Sequence, residues 1–158
     1  MTDDITVEVR GLEEVQKKME QMVKDIRGGE TLKAMKLATL LVQRTAVKNL
    51  RPWRGPGTGG VDTGRMRASI APQIKQMTRG ISGVVGSNVS YAPYQELGTR
   101  PHWVSKANIG QWAERHKLGF RAVFVSGKAL KFLGRAFDSS QGKIKRFFDD
   151  AMQKVVNK

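Results

Sequence analysis

The chain has 158 residues, no cysteine and a formal net charge of +14. That length suits one domain over 1–158 with one modest core. The lack of thiols excludes disulfides and thiolate zinc sites and is compatible with a reducing compartment, and no run of about eighteen apolar residues exists to cross a membrane.

The first ten residues, MTDDITVEVR, have neither a basic leader nor an apolar signal core. The expectation is a protein that stays in the cytoplasm where it is made. Ile5, Val7 and Val9 alternate with polar residues and predict a short strand with one buried face. Gly11 ends it. Leu12, Val15, Met19, Met22, Val23 and Ile26 then recur at helical spacing, until Gly28-Gly29 breaks the helix. A second helix is predicted from about Thr31 to Asn49. Its apolar set includes Leu32, Met35, Ala38, Leu41 and Val42, with Leu37 and Leu40 beside them. More than one of its faces is apolar, which marks it as the central packing helix.

Residues 50–61, LRPWRGPGTGGV, contain two prolines and four glycines. Neither a helix nor a central strand tolerates that composition. The reading is a long, exposed, flexible loop, of the kind that is usually functional or disordered. Trp53 between Arg51 and Arg54 either anchors on a partner or tucks back onto its own domain.

Asp62 or Thr63 is placed to cap a short helix running through Met66 to Ser69. Ile70 to Met77 reads as a strand, Thr78-Arg79-Gly80 as a turn, and Ile81 to Gly86 as the returning partner. Pro93 suits the first turn of a short helix, and Gly98 suits the position just past its end. Ser105 is a plausible cap for a helix from Lys106 to about His116, with Ile109, Trp112, Ala113 and His116 on one face. Phe120 to Val125 is a further sheet segment. Phe132-Leu133-Gly134-Arg135-Ala136-Phe137 is an apolar patch in a basic segment. A final helix, about Lys143 to Val156, carries Ile144, Phe147, Phe148, Ala151, Met152 and Val155 on one stripe. No internal repeat is present. The pattern is α+β, a small, mainly antiparallel sheet packed against helices.

Charge is unevenly placed. Residues 1–30 hold eight acids and five bases, whereas residues 31–158 hold six acids and 23 bases. The resulting net +17 over the second stretch favours a nearby polyanion, a solvated surface or an acidic partner subunit. Arg51, Trp53, Arg54, Arg65, Arg67 and Arg100 are the candidate partner or DNA contacts. No zinc-finger spacing, basic-zipper repeat or RNP-like aromatic strand supports base-specific reading.

Enzyme chemistry finds little support. His102 and His116 lie fourteen residues apart, without a His-Glu-x-x-His motif or a calcium-loop pattern of oxygen ligands. His116 reads as a packing or surface residue and His102 as a local loop contact. Asp62 and Glu96 could meet as a hydrolase pair, but nothing in their spacing demands it. Structural roles fit both better: a cap for Asp62, and an arginine or turn-amide partner for Glu96. The glycines near 57–60 and 119–127 lack the strand context and spacing of a nucleotide loop. No catalytic residue, metal site or cofactor is expected.

Several segments in order carry a resemblance. Val9-Arg10-Gly11-Leu12 is followed by an alanine-containing helix and then by Asp62-Thr63-Gly64-Arg65-Met66-Arg67-Ala68-Ser69-Ile70. Tyr91-Ala92, Glu96-Leu97-Gly98-Thr99-Arg100-Pro101 and Phe132-Leu133-Gly134-Arg135-Ala136-Phe137 complete the pattern. This arrangement, over about residues 5–155, resembles the tail-component family of tailed bacteriophages typified by gene product 10 of phage HK97. The motif residues are Asp62, Thr63, Gly64, Arg65, Ser69, Tyr91, Glu96, Gly98 and Thr99. The resemblance implies a virion protein of a phage or prophage, at the head–tail junction or in the tail, in tail completion, tail termination or head–tail joining. Related terminators form oligomeric rings, commonly hexamers, between tail tube and head connector, with DNA passing through the channel. A non-specific nucleic-acid-binding protein is the alternative for so basic a chain. A minor capsid or tail-assembly role is a related reading.

Overall fold

The structure, a computed structural model, describes residues 12–27, 29–51, 62–77, 80–117, 119 and 122–157. The expected strand at residues 5–9 therefore lies outside the described residues, as do residues 52–61 of the expected loop, Trp53 and Arg54 among them. The architecture is α+β. Helices α1 (Leu12–Arg27) and α2 (Gly29–Asn49) precede a short helix α3 (Arg65–Ser69) and a hairpin of β1 (Ile70–Met77) and β2 (Gly80–Ser87). Helix α4 (Ala92–Leu97), strand β3 (His102–Ser105), helix α5 (Gly110–Arg115) and strand β4 (Ala122–Val125) lead to the long helix α6 (Phe132–Val156).

Helix α2 is the centre of the packing, against α6, both strands of the first hairpin and α1. Its buried positions Ala34, Ala38, Val42 and Ala46 recur every four residues and form one narrow stripe of mostly small side chains. Helix α6 answers with Ala136, Ser140, Ala151 and Val155. Small residues on both sides let the two backbones approach closely. The helices run antiparallel: Asn49 Nδ2 donates to Phe132 O (3.0 Å) at one end, and Lys154 lies 3.9 Å from Glu30 at the other. Larger side chains close the core at the Asn49 end, where Leu50, Met66, Ile70, Val89 and Phe132 cluster. Leu37 and Leu40, on other faces of α2, stay exposed.

The first hairpin is antiparallel, with Ile70 opposite Ser87 and Met77 opposite Gly80. Alternation turns Ile70, Pro72 and Ile74 inward while Gln73 and Lys75 stay exposed. Gln43 Nε2 donates to Ile70 O (2.7 Å) and pins the start of β1 to α2.

Four expectations are corrected. Leu50, read as the first residue of an exposed loop, is fully buried because it fills the space beneath Met66 and Phe132. The helix expected from Lys106 to His116 is split into a 3-10 turn over Lys106–Ile109 and α5, because Ile109 leaves helical geometry (φ −124°, ψ 21°) before Gly110; Ser105 makes no side-chain cap. The third sheet segment pairs with β3, a strand the spacing did not suggest, in a separate antiparallel ladder. The final helix begins at Phe132 instead of Lys143, so the apolar patch is its first turns. Interior glycines such as Gly134 and Gly142 cost about 1 kcal/mol each relative to alanine. Burial of Phe132 and Ala136 and the contacts of Glu96 offset that cost.

Candidate functional site

The motif around Asp62 connects distant elements. Gly64 occupies the N-cap position of α3 in a left-handed conformation (φ 79°), and no side chain caps that helix. The backbone N–H of Arg65 reaches Thr63 Oγ1 only at 3.4 Å. The cap expected from Asp62 is therefore not formed: Gly64 holds the capping position two residues further on. Asp62 instead accepts from Arg115 Nη2 (2.9 Å) and His116 Nε2 (3.0 Å). The His116 ring lies 4.9 Å from that of Trp112. These charge-assisted bonds fasten the entry of α3 to α5. With the Asp62 side chain 26% exposed, solvent screens them and their net worth stays below about 1 kcal/mol.

At the other end of α3, Ser69 Oγ donates to Met66 O (2.8 Å) and lies 2.6 Å from Ser87 Oγ, joining the start of β1 to the end of β2. Ser87 Oγ also accepts from Val89 N (3.2 Å). Arg67, proposed from sequence as a partner or DNA contact, is half-buried and donates to Leu50 O. It ties the end of α2 to α3. Its hydrogen-bonding fork matches a buried carbonyl, and this outweighs the tendency of an arginine to stay in water. Arg51, Arg65 and Arg100 are exposed.

A second motif, Glu96 to Thr99, forms a clasp with the start of α6. Pro93 sits in the first turn of α4, and Gly98 ends it at φ 81°, donating to Tyr94 O (2.9 Å). Glu96 Oε2 accepts from Leu133 N and Oε1 from Gly134 N, both at 2.9 Å. One carboxylate thus satisfies two of the N–H groups that a helix start leaves unpaired, at the positive end of its dipole. The residue before α6, Lys131, provides no side-chain cap. Backbone bonds complete the joint: Leu130 N to Gln95 O (2.8 Å), Lys131 N to Glu96 O (3.2 Å) and Thr99 N to Gly127 O (2.9 Å). The chains approach so closely that a Cβ on Gly98 would lie 2.5 Å from Gly127 O, and one on Gly127 would lie 2.1 Å from Thr99 O.

Beside this clasp lies a cleft of about 780 Å³, lined by Tyr91, Tyr94, Trp112, Val123 and Val125, with Asp62 at its edge. His102 also lines it, and its Nδ1 lies 2.8 Å from Arg100 O. The cleft holds no pair of free carboxylates. Asp62 is bound by two cations, and both Glu96 oxygens are occupied by amides. Among the described residues no group of three His, Cys, Asp or Glu side chains is placed to hold a metal ion, and no helix is long and apolar enough to cross a membrane.

Sequence reasoning missed Arg115 and His116 as partners of Asp62, and Gly127 and the Leu133 and Gly134 amides as partners of the Glu96 segment. They lie tens of residues away from the groups they contact. Only the recurrence of Phe132-Leu133-Gly134-Arg135 in the resemblance signalled that the start of α6 belonged with Glu96.

Comparison with known proteins gives one match. The model of a family described as "Bacteriophage HK97-gp10, putative tail-component" matches residues 7–98. The span covers more than half the chain and includes the segment from Asp62 to Ser69, Tyr91, Glu96 and Gly98; Thr99 and the start of α6 lie beyond it. No curated protein and no solved structure matches. The chain belongs to the HK97-gp10-like family of bacteriophage proteins.

Proposed function

We propose that this protein is a structural component of the virion of a tailed phage or prophage. In this reading it acts in tail completion, tail termination or head–tail joining, as one subunit of an oligomeric ring around the DNA channel. The family match over residues 7–98 carries the reading. Two features support it. The motif residues hold segments of the fold together, as expected of an assembly part. The net +17 over residues 31–158 suits a wall past which DNA moves. Its partners are other copies of itself and the proteins of the tail tube or head connector.

That same charge favours a second reading, a free non-specific nucleic-acid-binding protein. Such a protein holds DNA as a monomer or dimer, with affinity falling steeply as salt rises. Electron microscopy of virions carrying labelled protein, beside particles lacking it, separates the two. A ring component gives label at the head–tail junction. Its loss gives separated heads and tails, or tails of abnormal length. Label spread through the DNA compartment, with normal joined particles in its absence, overturns the proposal.

A further inference from the structure

Helix α1 carries an apolar stripe that the described residues leave largely uncovered. Val15, Met19, Met22 and Val23 are 54%, 63%, 39% and 45% exposed, and every residue from Glu13 to Lys24 is exposed. The helix meets the body near its C-terminal end, where Val23 and Ile26 join Met35, Ile81 and Phe148 around a shallow hollow. From Met35 and Phe148 an open groove of about 470 Å³ continues between α2, β2 and α6, walled by Val42, Val85, Phe137 and Ile144.

The groove has a geometric cause. A helix is about 10 Å across and neighbouring strands are about 4.8 Å apart. A two-stranded hairpin therefore covers one helix, α2, and leaves the flank of α6 bare. Phe137 on that flank is 53% exposed.

We propose that α1 of one subunit docks in this groove on the next copy of the chain. The inference rests on the ring reading above and names the surfaces that build it. The apolar residues of α1 fall at i, i+4, i+7 and i+8, the spacing with which an amphipathic helix lies in a groove. Two of them are methionines, whose unbranched side chains fill irregular apolar hollows. Charge agrees. Residues 1–27 carry seven acids and five bases, a net −2, while α2 and α6 together carry nine bases and four acids, a net +5. Gly28 is the whole connection between α1 and α2, so the C-terminal end of α1 is held at its own hollow and the rest of the helix is directed elsewhere. Stripe and groove are different patches of one molecule. Their contact is heterologous, and repeating it closes a ring when the rotation is right.

The absence of cysteine makes the test direct. Met19→Cys and Phe137→Cys, both at exposed positions, introduce the only thiols. Full-length chains carrying one or the other are mixed at high concentration, and the double variant is also assembled into particles. Both samples are treated with a short bismaleimide and run on denaturing gels. The expected result is a covalent dimer from the mixture, little from either variant alone, and a ladder of oligomers from the double variant. A cross-linked monomer from the double variant, showing that α1 folds back into its own groove, overturns the proposal. So does the absence of cross-links in both samples. The cross-link pattern decides the docking surfaces and the position of the label in virions decides the ring reading, so the two fail separately.

Discussion

The junction of α4 with α6 and the free length of α1 are opposite kinds of surface. At the junction each exposed need is met within the chain. The amides at the start of α6 have the Glu96 carboxylate, Thr99 N has Gly127 O, and glycines stand where a Cβ would collide with backbone. Helix α1 is nearly the reverse. Its backbone is satisfied by its own helix, but its apolar stripe remains in water. The first region determines whether the chain folds, and the second leaves a surface that folding alone does not bury. Substitutions at the junction should therefore lower stability, and substitutions on the stripe should alter association while stability holds.

The largest effect is expected at Gly127. Its φ is +69°, and an added Cβ would press on the Thr99 carbonyl. Gly127→Ala combines left-handed strain with a backbone clash and should cost about 3 kcal/mol in urea unfolding followed by circular dichroism. An unchanged midpoint would show that the junction is not the tight element described here.

Glu96→Ala comes next. It leaves two helix-start amides without their charged acceptor and should cost about 2 kcal/mol. Glu96→Gln keeps one acceptor oxygen and should lose about half as much. In both variants, amide hydrogen exchange should rise most at Leu133 and Gly134. Equal loss of protection along all of α6 would break the claim that the effect is local.

Asp62→Ala should be milder, below about 1 kcal/mol, because its pairs with Arg115 and His116 are partly open to solvent. The difference from the unaltered protein should shrink as salt rises. A cost independent of salt would point to packing instead of charge.

The smallest stability effect belongs to the stripe. Met19→Gln should change the unfolding free energy by less than about 0.5 kcal/mol, yet reduce incorporation into particles, measured by the amount of protein per purified virion. Marked destabilisation with normal incorporation would erase the contrast between the two regions.

Much of the local structure was legible in advance. The periodicity of α1 and α2, the strands Ile70–Met77 and Gly80–Ser87, and the short helix after Tyr91 follow from neighbours in the chain: apolar spacing of 3.6 or 2, proline at a helix start and glycine at a helix end. The motif segments could also be picked out, although their partners could not. Periodicity and turn chemistry act over a few residues, whereas Asp62 meets His116 across fifty-four positions and Glu96 meets Leu133 across thirty-seven.

Composition and pattern by themselves determined the class of the molecule: a basic, thiol-free α+β chain built on two long helices and hairpins. Tertiary structure decided how those pieces are used. It extended α6 back to Phe132, since burial of Phe132 and the Glu96 carboxylate outweigh the helix-weakening glycines. It placed His102–Ser105 in a strand, because that short segment acquires its ladder only when Ala122–Val125 lies beside it. It turned Asp62 from a helix cap into the partner of Arg115 and His116, and Arg67 from a surface cation into a strut beneath Leu50. Each of these outcomes depends on an energy gained between residues far apart in sequence, which exists only once the chain has folded to bring them together.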